Sequence, residues 1–411
     1  MAQPENVKLF WSPRDEETMY AGAGVADVIH EGNSTSINSA FTTIRERLAF
    51  CNAAHYYGGT RFDMQQQPDV IWQEYGLFRF ILPRLEIVVA NGTTTLAVNG
   101  ILHPDGNPAV EAEAMVAAFE RMSLPQPREA ELPTSFLSRS DAPDREGWEH
   151  NINAALDSFA QGETSKIVLA RRATLAFDTT LKPLEIVRRL YTSVSHAFVF
   201  CFQYDPAHAF LGATPERLYK RIGQTLSTEA VAGTRKRGAT EQEDESIREE
   251  LLHSAKDLHE HEIVRNYIAS TLEQYGTITS ADEQARLMTL PRLHHLHSRY
   301  EAQLADTASE ADVLTALHPT PAVGGLPANR AMSAIAELEP FDRGWYAGPV
   351  GQIGHDEAEF AVAIRSGIVD DVYLHLYSGA GIVAGSDARA EWEEIENKLG
   401  NFLTFIGGHR D

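Results

Sequence analysis

Strand-like segments in this chain follow one another with links no longer than a turn. "HAFVFCFQY" (196–204) runs on into "HAFLGATPERLYKRI" (208–222), which read as paired strands, and "EFAVAIRSGIVDDVYLHLYSGAGIV" (359–383) reads as a strand pair around "VDD". Parallel neighbours need a crossover of about a dozen residues or more, so strands joined this tightly run antiparallel. The N-terminal part repeats the pattern in "LFRFILPRLEIVVANGTTTLAVNG" (77–100), and "SKIVLARRATLAF" (165–177) is a further strand. Helices are inserted between such runs: "PAVEAEAMVAAFERM" (108–122), then "GWEHNINAALDSFAQGE" (147–163) with Trp148, Ile152, Ala155 and Phe159 on one face. A long helix is expected over 240–276, opened by Thr240 and Glu243 as a capping box and closed by Gly276. The expected class is α+β with a sandwich-like, mostly antiparallel core, not a doubly wound sheet. The proline- and charge-rich stretch over 123–146 is the one clear linker, expected to cross the surface.

The chain has 411 residues and a net charge of −23, a field that opposes binding to nucleic acid and to anionic membrane surfaces. An anionic small molecule is compatible with it only where a local cluster of cations, or a metal, reverses the field. "MAQPENVKLFW" lacks the basic and apolar regions of a signal peptide, and the longest apolar run, "AFVFCF", cannot span a bilayer, so a cytoplasmic protein is expected. Cys51 and Cys201 offer no disulfide framework. The histidines of "LHEHE" and "LHHLHS" have no zinc-ligand spacing and read as solvated or hydrogen-bonded structural groups.

In "LYSGAGIVAGSDARAEWEEIENK" (376–398), a loop with Gly379, Gly381 and Gly385 runs into a helix rich in carboxylates. "GAGIVA" fits a dinucleotide fingerprint, but the acidic residue that should follow about 20 positions on would fall where the sequence stops. On the terminal helix Glu391, Glu394 and Lys398 share a face, as do Asp257 and Glu260 in the long helix. Either acidic pair alone reads as a solvated face. Two pairs, one of them abutting a glycine loop, read as oxygen ligands for Mg²⁺, which takes one or two carboxylates and binds a substrate's anionic group.

"KIVLARR" (166–172), "GATPERL" (212–218), "EAVAGTRKRG" (229–238), "KDLHEHEIV" (256–264), "HPTPAVGGLP" (318–327), "FDRGWYAGPVG" (341–351), "AIRS" (363–366) and the glycine block resemble, in order, the motifs of the chorismate-binding enzymes. The resemblance spans roughly 148–408. It implies two stacked, mostly antiparallel sheets with outer helices and the active site between them. It also implies one domain over 1–411, to which strands of 1–122 contribute and whose motif region is 147–408. The substrate implied is chorismate, a dianion. Glu260 and Glu394 match the direct Mg²⁺ ligands, while Asp257 and Glu391 match the carboxylates that complete the site. The ion would clamp the ring carboxylate with Lys398 and the N–H groups near Gly379 and Gly381. Tyr346 and Arg365 match the residues that hold the enolpyruvyl carboxylate, and Thr234 and His318 are expected to line the same pocket.

Within the family the residues resemble the isochorismate-forming members. Lys166 stands where these carry a lysine that deprotonates water, a task that requires a neutral amine. Glu216 matches the general acid, which needs a raised pKa. Ala232 takes the place of the lysine that attacks the ring in aminodeoxychorismate synthases, and no glutaminase partner is expected. Salicylate synthase, which goes on to eliminate pyruvate, is the nearest alternative; a degenerate binding subunit is disfavoured by the complete set of site residues. Gln352 replaces an expected aromatic residue and leaves the packing near the pocket open. "YYGGTRFD" (56–63) and "YGLFRFILP" (75–83) resemble menaquinone-type rather than siderophore-type enzymes. A monomer or weak dimer is expected.

Overall fold

The computed structural model describes residues 3–406 apart from 16, 103–104, 124–131, 134 and 291–292. Two large sheets, of eleven and ten strands, carry the fold, and helices are set between the strand runs. Their pairings are antiparallel, as the short links require. Strands of the N-terminal part enter both sheets: Lys8–Ser12 pairs with Phe198–Asp205 in the first, and Tyr56–Thr60 with Pro349–Ile353 in the second. Among the described residues no helix is long and apolar enough to cross a membrane.

Both expected strand pairs form, Phe198–Asp205 with His208–Thr214 and Ser366–Asp370 with Tyr373–Val383, but two stretches expected to run on as one strand divide between the sheets. His208–Thr214 lies in the first sheet and Arg217–Ile222 in the second, leaving Pro215 and Glu216 as the bridge. Glu357–Val362 lies in the second and Ser366–Asp370 in the first, with the 363–365 link crossing back. A chain that changes sheets must turn a corner and leave its ladder, which alternation of apolar residues does not reveal. The two corners are laced together: Val362 N–H donates to the Glu216 carbonyl at 3.0 Å, Ala213 N–H to the Arg365 carbonyl at 3.1 Å, and the Thr214 hydroxyl to the Val362 carbonyl at 2.7 Å. Arg365 takes up its corner with φ 51°, a left-handed conformation uncommon outside glycine.

The expected long helix is two. Glu241–His253 ends at Ser254, whose extended backbone (ψ 112°) breaks the spiral and whose hydroxyl accepts from Asp257 N–H, starting a second helix over Ala255–Tyr275. Thr240 caps the first helix, but the Glu243 carboxylate returns to Ala239 N–H rather than to Thr240, so the box is only half formed. The break matters for function because it places Asp257 and Glu260 in the opening turns of a separate helix. Part of the expected linker is also structured: Ser138–Ala142 pairs with the Lys166–Ala176 strand, while 124–131 and 134 lie outside the described residues. Its polar sequence gave no strand pattern because most of the strand is exposed or half-buried and pairs through its backbone.

Between the sheets the core is aromatic, with Trp72 against Phe210 at 5.2 Å and Tyr75 against Trp345 at 5.2 Å. Gly344 faces this cluster at φ 55°, and a Cβ there would lie 1.9 Å from the Trp72 ring. Gly344→Ala adds overpacking to left-handed strain, so we expect a loss of about 3 kcal/mol or more, read as a lowered urea midpoint.

Candidate active site

A single cavity beside the two corners gathers Glu216, Thr234, Asp257, Glu260, Tyr346, Arg365, Gly379, Gly381, Glu391, Glu394 and Lys398. Lys166 stands immediately behind its wall: Nζ is 2.8 Å from Glu260 Oε1, and a Cβ added to Gly381 would lie 2.6 Å from that oxygen and 3.2 Å from Lys166 Cε. Only glycine at 381 leaves room for this pair. The cavity is lined by five cations (Arg235, Lys256, Arg343, Arg365 and Lys398) and five carboxyl groups, so the strongly negative field of the chain is offset here.

Glu216 projects from the corner between the sheets and is 6% exposed. Burial, and then the negative Glu229, push its pKa up to about 8 against the lowering pull of Lys166, Lys398 and Arg365. At neutral pH it therefore carries a proton, as a general acid must.

Arg365 is buried, and that burial brings its pKa down to about 10. Among the described residues no carboxylate lies within ion-pair distance of it, and its Nε has no hydrogen-bond partner. What it does touch is informative. Its Nη2 lies 3.1 Å from His295 Nε2, and His295 Nδ1 lies 2.9 Å from Thr234 Oγ1. Burial, then Arg365 and Lys398, hold the imidazole neutral by driving its pKa well down. Arginine only donates, so Nε2 is the acceptor and Nδ1 carries the proton. The Thr234 hydroxyl thus accepts from His295 and has its own proton free to donate into the cavity.

His295, which lines the cavity, was hidden in "LHHLHS", where the run was expected to be structural. Strand alternation would have separated its members: His295 and His297 share one face of Leu293–Leu304, and His294 faces away to Asp244. His318, expected in the pocket, does not line it. The Glu310–Leu317 helix ends at His318 with its ring edge-on to Phe62, and Nε2 donates to the Phe62 carbonyl at 3.1 Å. Gln352 is likewise away from the cavity, buried in a strand between Tyr57 and Glu359.

Gly379 and Gly381 lie not in a loop but in the Tyr373–Val383 strand, paired to Ala170 and Val168. The Gly379 carbonyl accepts from Lys398 Nζ at 2.9 Å, so it points away from the paired strand. In an antiparallel strand a residue's N–H and C=O share a direction, and residues two apart share it too. Both glycine N–H groups consequently face the side on which the strand, past Tyr377, has no neighbour.

The four carboxylates expected to hold a metal line the cavity, each against a cation: Asp257 with Arg235 (2.6 Å), Glu260 with Lys166 (2.8 Å), Glu394 with Lys398 (2.7 Å) and Glu391 with Lys256 (3.5 Å). Among the described residues no three acidic, histidine or cysteine groups converge into a ready-made cage. The donor set nevertheless suits a hard cation that takes few protein ligands and keeps its waters. Burial, and then repulsion from Glu394, raise the Glu391 pKa, a strain that a cation would relieve.

A fold of two antiparallel sheets with a cationic, carboxylate-flanked cavity at their crossings is that of enzymes acting on chorismate, and the chain belongs to the chorismate-binding enzyme family, whose model matches residues 1–407. It is 33% identical over 394 residues to the chloroplastic isochorismate synthase of Catharanthus roseus, covering 94% of this chain and 68% of that protein. It is 30% identical over 419 residues to the isochorismate synthase MenF of Bacillus subtilis, covering 98% and 88%. The solved structure of MenF, the menaquinone-specific isochorismate synthase of Escherichia coli, superposes with a TM-score of 0.87 at 28% identity, covering 98% of this chain and 90% of that one.

Proposed function

We propose that the protein is an isochorismate synthase that converts chorismate to isochorismate for menaquinone biosynthesis. The observation that carries this reading is the buried Arg365, with no carboxylate partner among the described residues, in one cavity with Glu216, whose burial between the sheets raises its pKa to about 8. A buried guanidinium in that state is strongly favoured to take up a planar carboxylate.

Arg365 and Tyr346 hold the enolpyruvyl carboxylate, with Thr234 donating from its oriented hydroxyl. The ring carboxylate meets Lys398 and the N–H groups of Gly379 and Gly381. A magnesium ion held by Glu260 and Glu394, with Asp257 and Glu391 completing its surroundings, supplies positive charge to that carboxylate when bound. Lys166 takes a proton from a water whose oxygen bonds to C2. The ring double bonds shift, the C4–O bond breaks, and Glu216 protonates the departing hydroxyl. One water enters and one leaves, so the step is an isomerisation with no change in oxidation state. Ala232 lines the cavity where the aminating enzymes place their attacking amine, which leaves water as the nucleophile. The enzyme is read as cytoplasmic, a monomer or weak dimer, and independent of a glutaminase subunit.

The test is a proton NMR time course with chorismate and Mg²⁺, repeated with EDTA. Isochorismate accumulating to equilibrium without pyruvate, and stopping when the metal is chelated, is the expected result. Salicylate with pyruvate would replace this reading by a lyase, and an unchanged spectrum would overturn it.

A further inference from the structure

Glu216 is gripped through both of its neighbours by residues outside the catalytic set. Arg14, from the turn between the Lys8–Ser12 and Thr18–Ala23 strands, donates to the carbonyl of Pro215 and, as a fork, to both oxygens of Glu229, with Nη2 at 2.9 Å from Oε2. On the other side Arg217 N–H donates to Glu229 Oε1 at 3.2 Å. His297 Nε2 closes the group at 2.8 Å from Glu229 Oε2. Arg14 and Glu229 side chains are only 4% and 2% exposed, so the arrangement is built into the interior.

We propose that Arg14, Glu229 and His297 form a positioning unit for Glu216, fixing the backbone on either side of it and facing it with a permanent buried negative charge. This rests on the reading of Glu216 as the proton donor. None of the three lines the cavity, so they act through Glu216 and not on substrate.

The charge on Glu229 is secure. Burial opposes its ionisation, but hydrogen bonds from His297 and Arg14 outweigh that and hold its carboxyl well below the usual range. A carboxylate accepts only, so His297 must present Nε2–H to it. Around Glu216 the charged and titratable groups are Glu229 on the Thr225–Lys236 strand, Lys166 on its own strand, Lys398 on the terminal helix, Arg365 at the second corner and Tyr346. Lys166, Lys398 and Arg365 act to favour the carboxylate, and Glu229 acts to favour the acid. Around Glu229 stand Arg14, Arg217 and His297. The unit therefore offsets the same cations that the cavity needs for a dianionic substrate. Its parts come from far apart in the chain, the Arg14 turn lying well before the motif region.

The experiment compares the pH dependence of kcat/KM for wild type, Glu229→Gln and Glu229→Asp, with thermal unfolding of each as the check on folding and Glu216→Gln as reference. Gln keeps the shape and removes the charge, so the alkaline limb should move to lower pH by about one unit, with KM for chorismate at low pH unchanged. Asp keeps the charge on a shorter arm, so the limb should stay in place while the rate falls. If the unit were only structural, both variants would lower the unfolding temperature or the rate and neither would move the limb; that result overturns the proposal. A normal rate in Glu216→Gln would instead overturn the assignment of the proton donor itself.

Discussion

Glu216→Gln should lower kcat by about a thousandfold, within the 10²–10⁴ that a positioned general acid contributes, while chorismate still binds. The amide matches the carboxyl in shape but has no acidic proton for the C4 oxygen, and hydroxide is a poor leaving group without one. The pH profile makes the expectation specific. Because burial and Glu229 set the Glu216 pKa at about 8, the catalytic form is present below that pH and is lost above it. The wild-type kcat/KM, which reports the free enzyme, should fall about tenfold per unit above pH 8, and the residual activity of the variant should lack that limb. An ordinary glutamate would be ionised throughout this range. The check is a stopped assay for isochorismate across pH, with calorimetric titration of chorismate into the variant. A variant with near-normal turnover, or one that loses binding and rate together, would remove Glu216 from the role of acid.

Most of the cavity lining could be read from sequence because its residues lie in compact blocks. Asp257 with Glu260, and Glu391 with Glu394 and Lys398, are spaced so that helix geometry alone puts each set on one face, and each set does line the cavity. The antiparallel architecture was legible for a similar reason, since link length restricts pairing direction. What local pattern could not supply was the place where a strand leaves its sheet. The reading of "HAFLGATPERLYKRI" as one strand runs through Pro215 and Glu216, although the chain changes sheets there. That corner is why Glu216 points between the sheets and why its pKa rises. His295 and His318 were exchanged for a related reason: both sit in histidine-bearing motifs, and only the pairing of His295 with Thr234 across two strands decides which one faces the cavity. The break at Ser254 was legible in principle, since serine is a good helix cap, but the helical pattern on either side of it masked the boundary.

Lys166→Ala and Lys166→Arg should each reduce turnover by about a thousandfold or more, and the agreement between them is the informative part. Lys166 is 1% exposed and its Nζ lies 2.8 Å from Glu260 Oε1, so two explanations for an inactive alanine variant compete. In one, the lysine only holds Glu260 in place; in the other, it accepts the proton from water. Arginine separates them. A guanidinium offers the Glu260 carboxylate a charged donor but remains protonated at any working pH, so it can hold the carboxylate without restoring a base. Recovery in Lys166→Arg would assign Lys166 to positioning, whereas inactivity in both, with the fold intact by circular dichroism, assigns it to proton transfer. Glu260 gives a second readout, because it pairs with Lys166 and is a proposed ligand of the cation. With alanine at 166 its carboxylate loses its amine partner, so Mg²⁺ affinity measured by calorimetry should be maintained or increased even though catalysis is lost. Weaker Mg²⁺ binding together with inactivity would show instead that the lysine's main contribution is to the shape of the metal-facing wall.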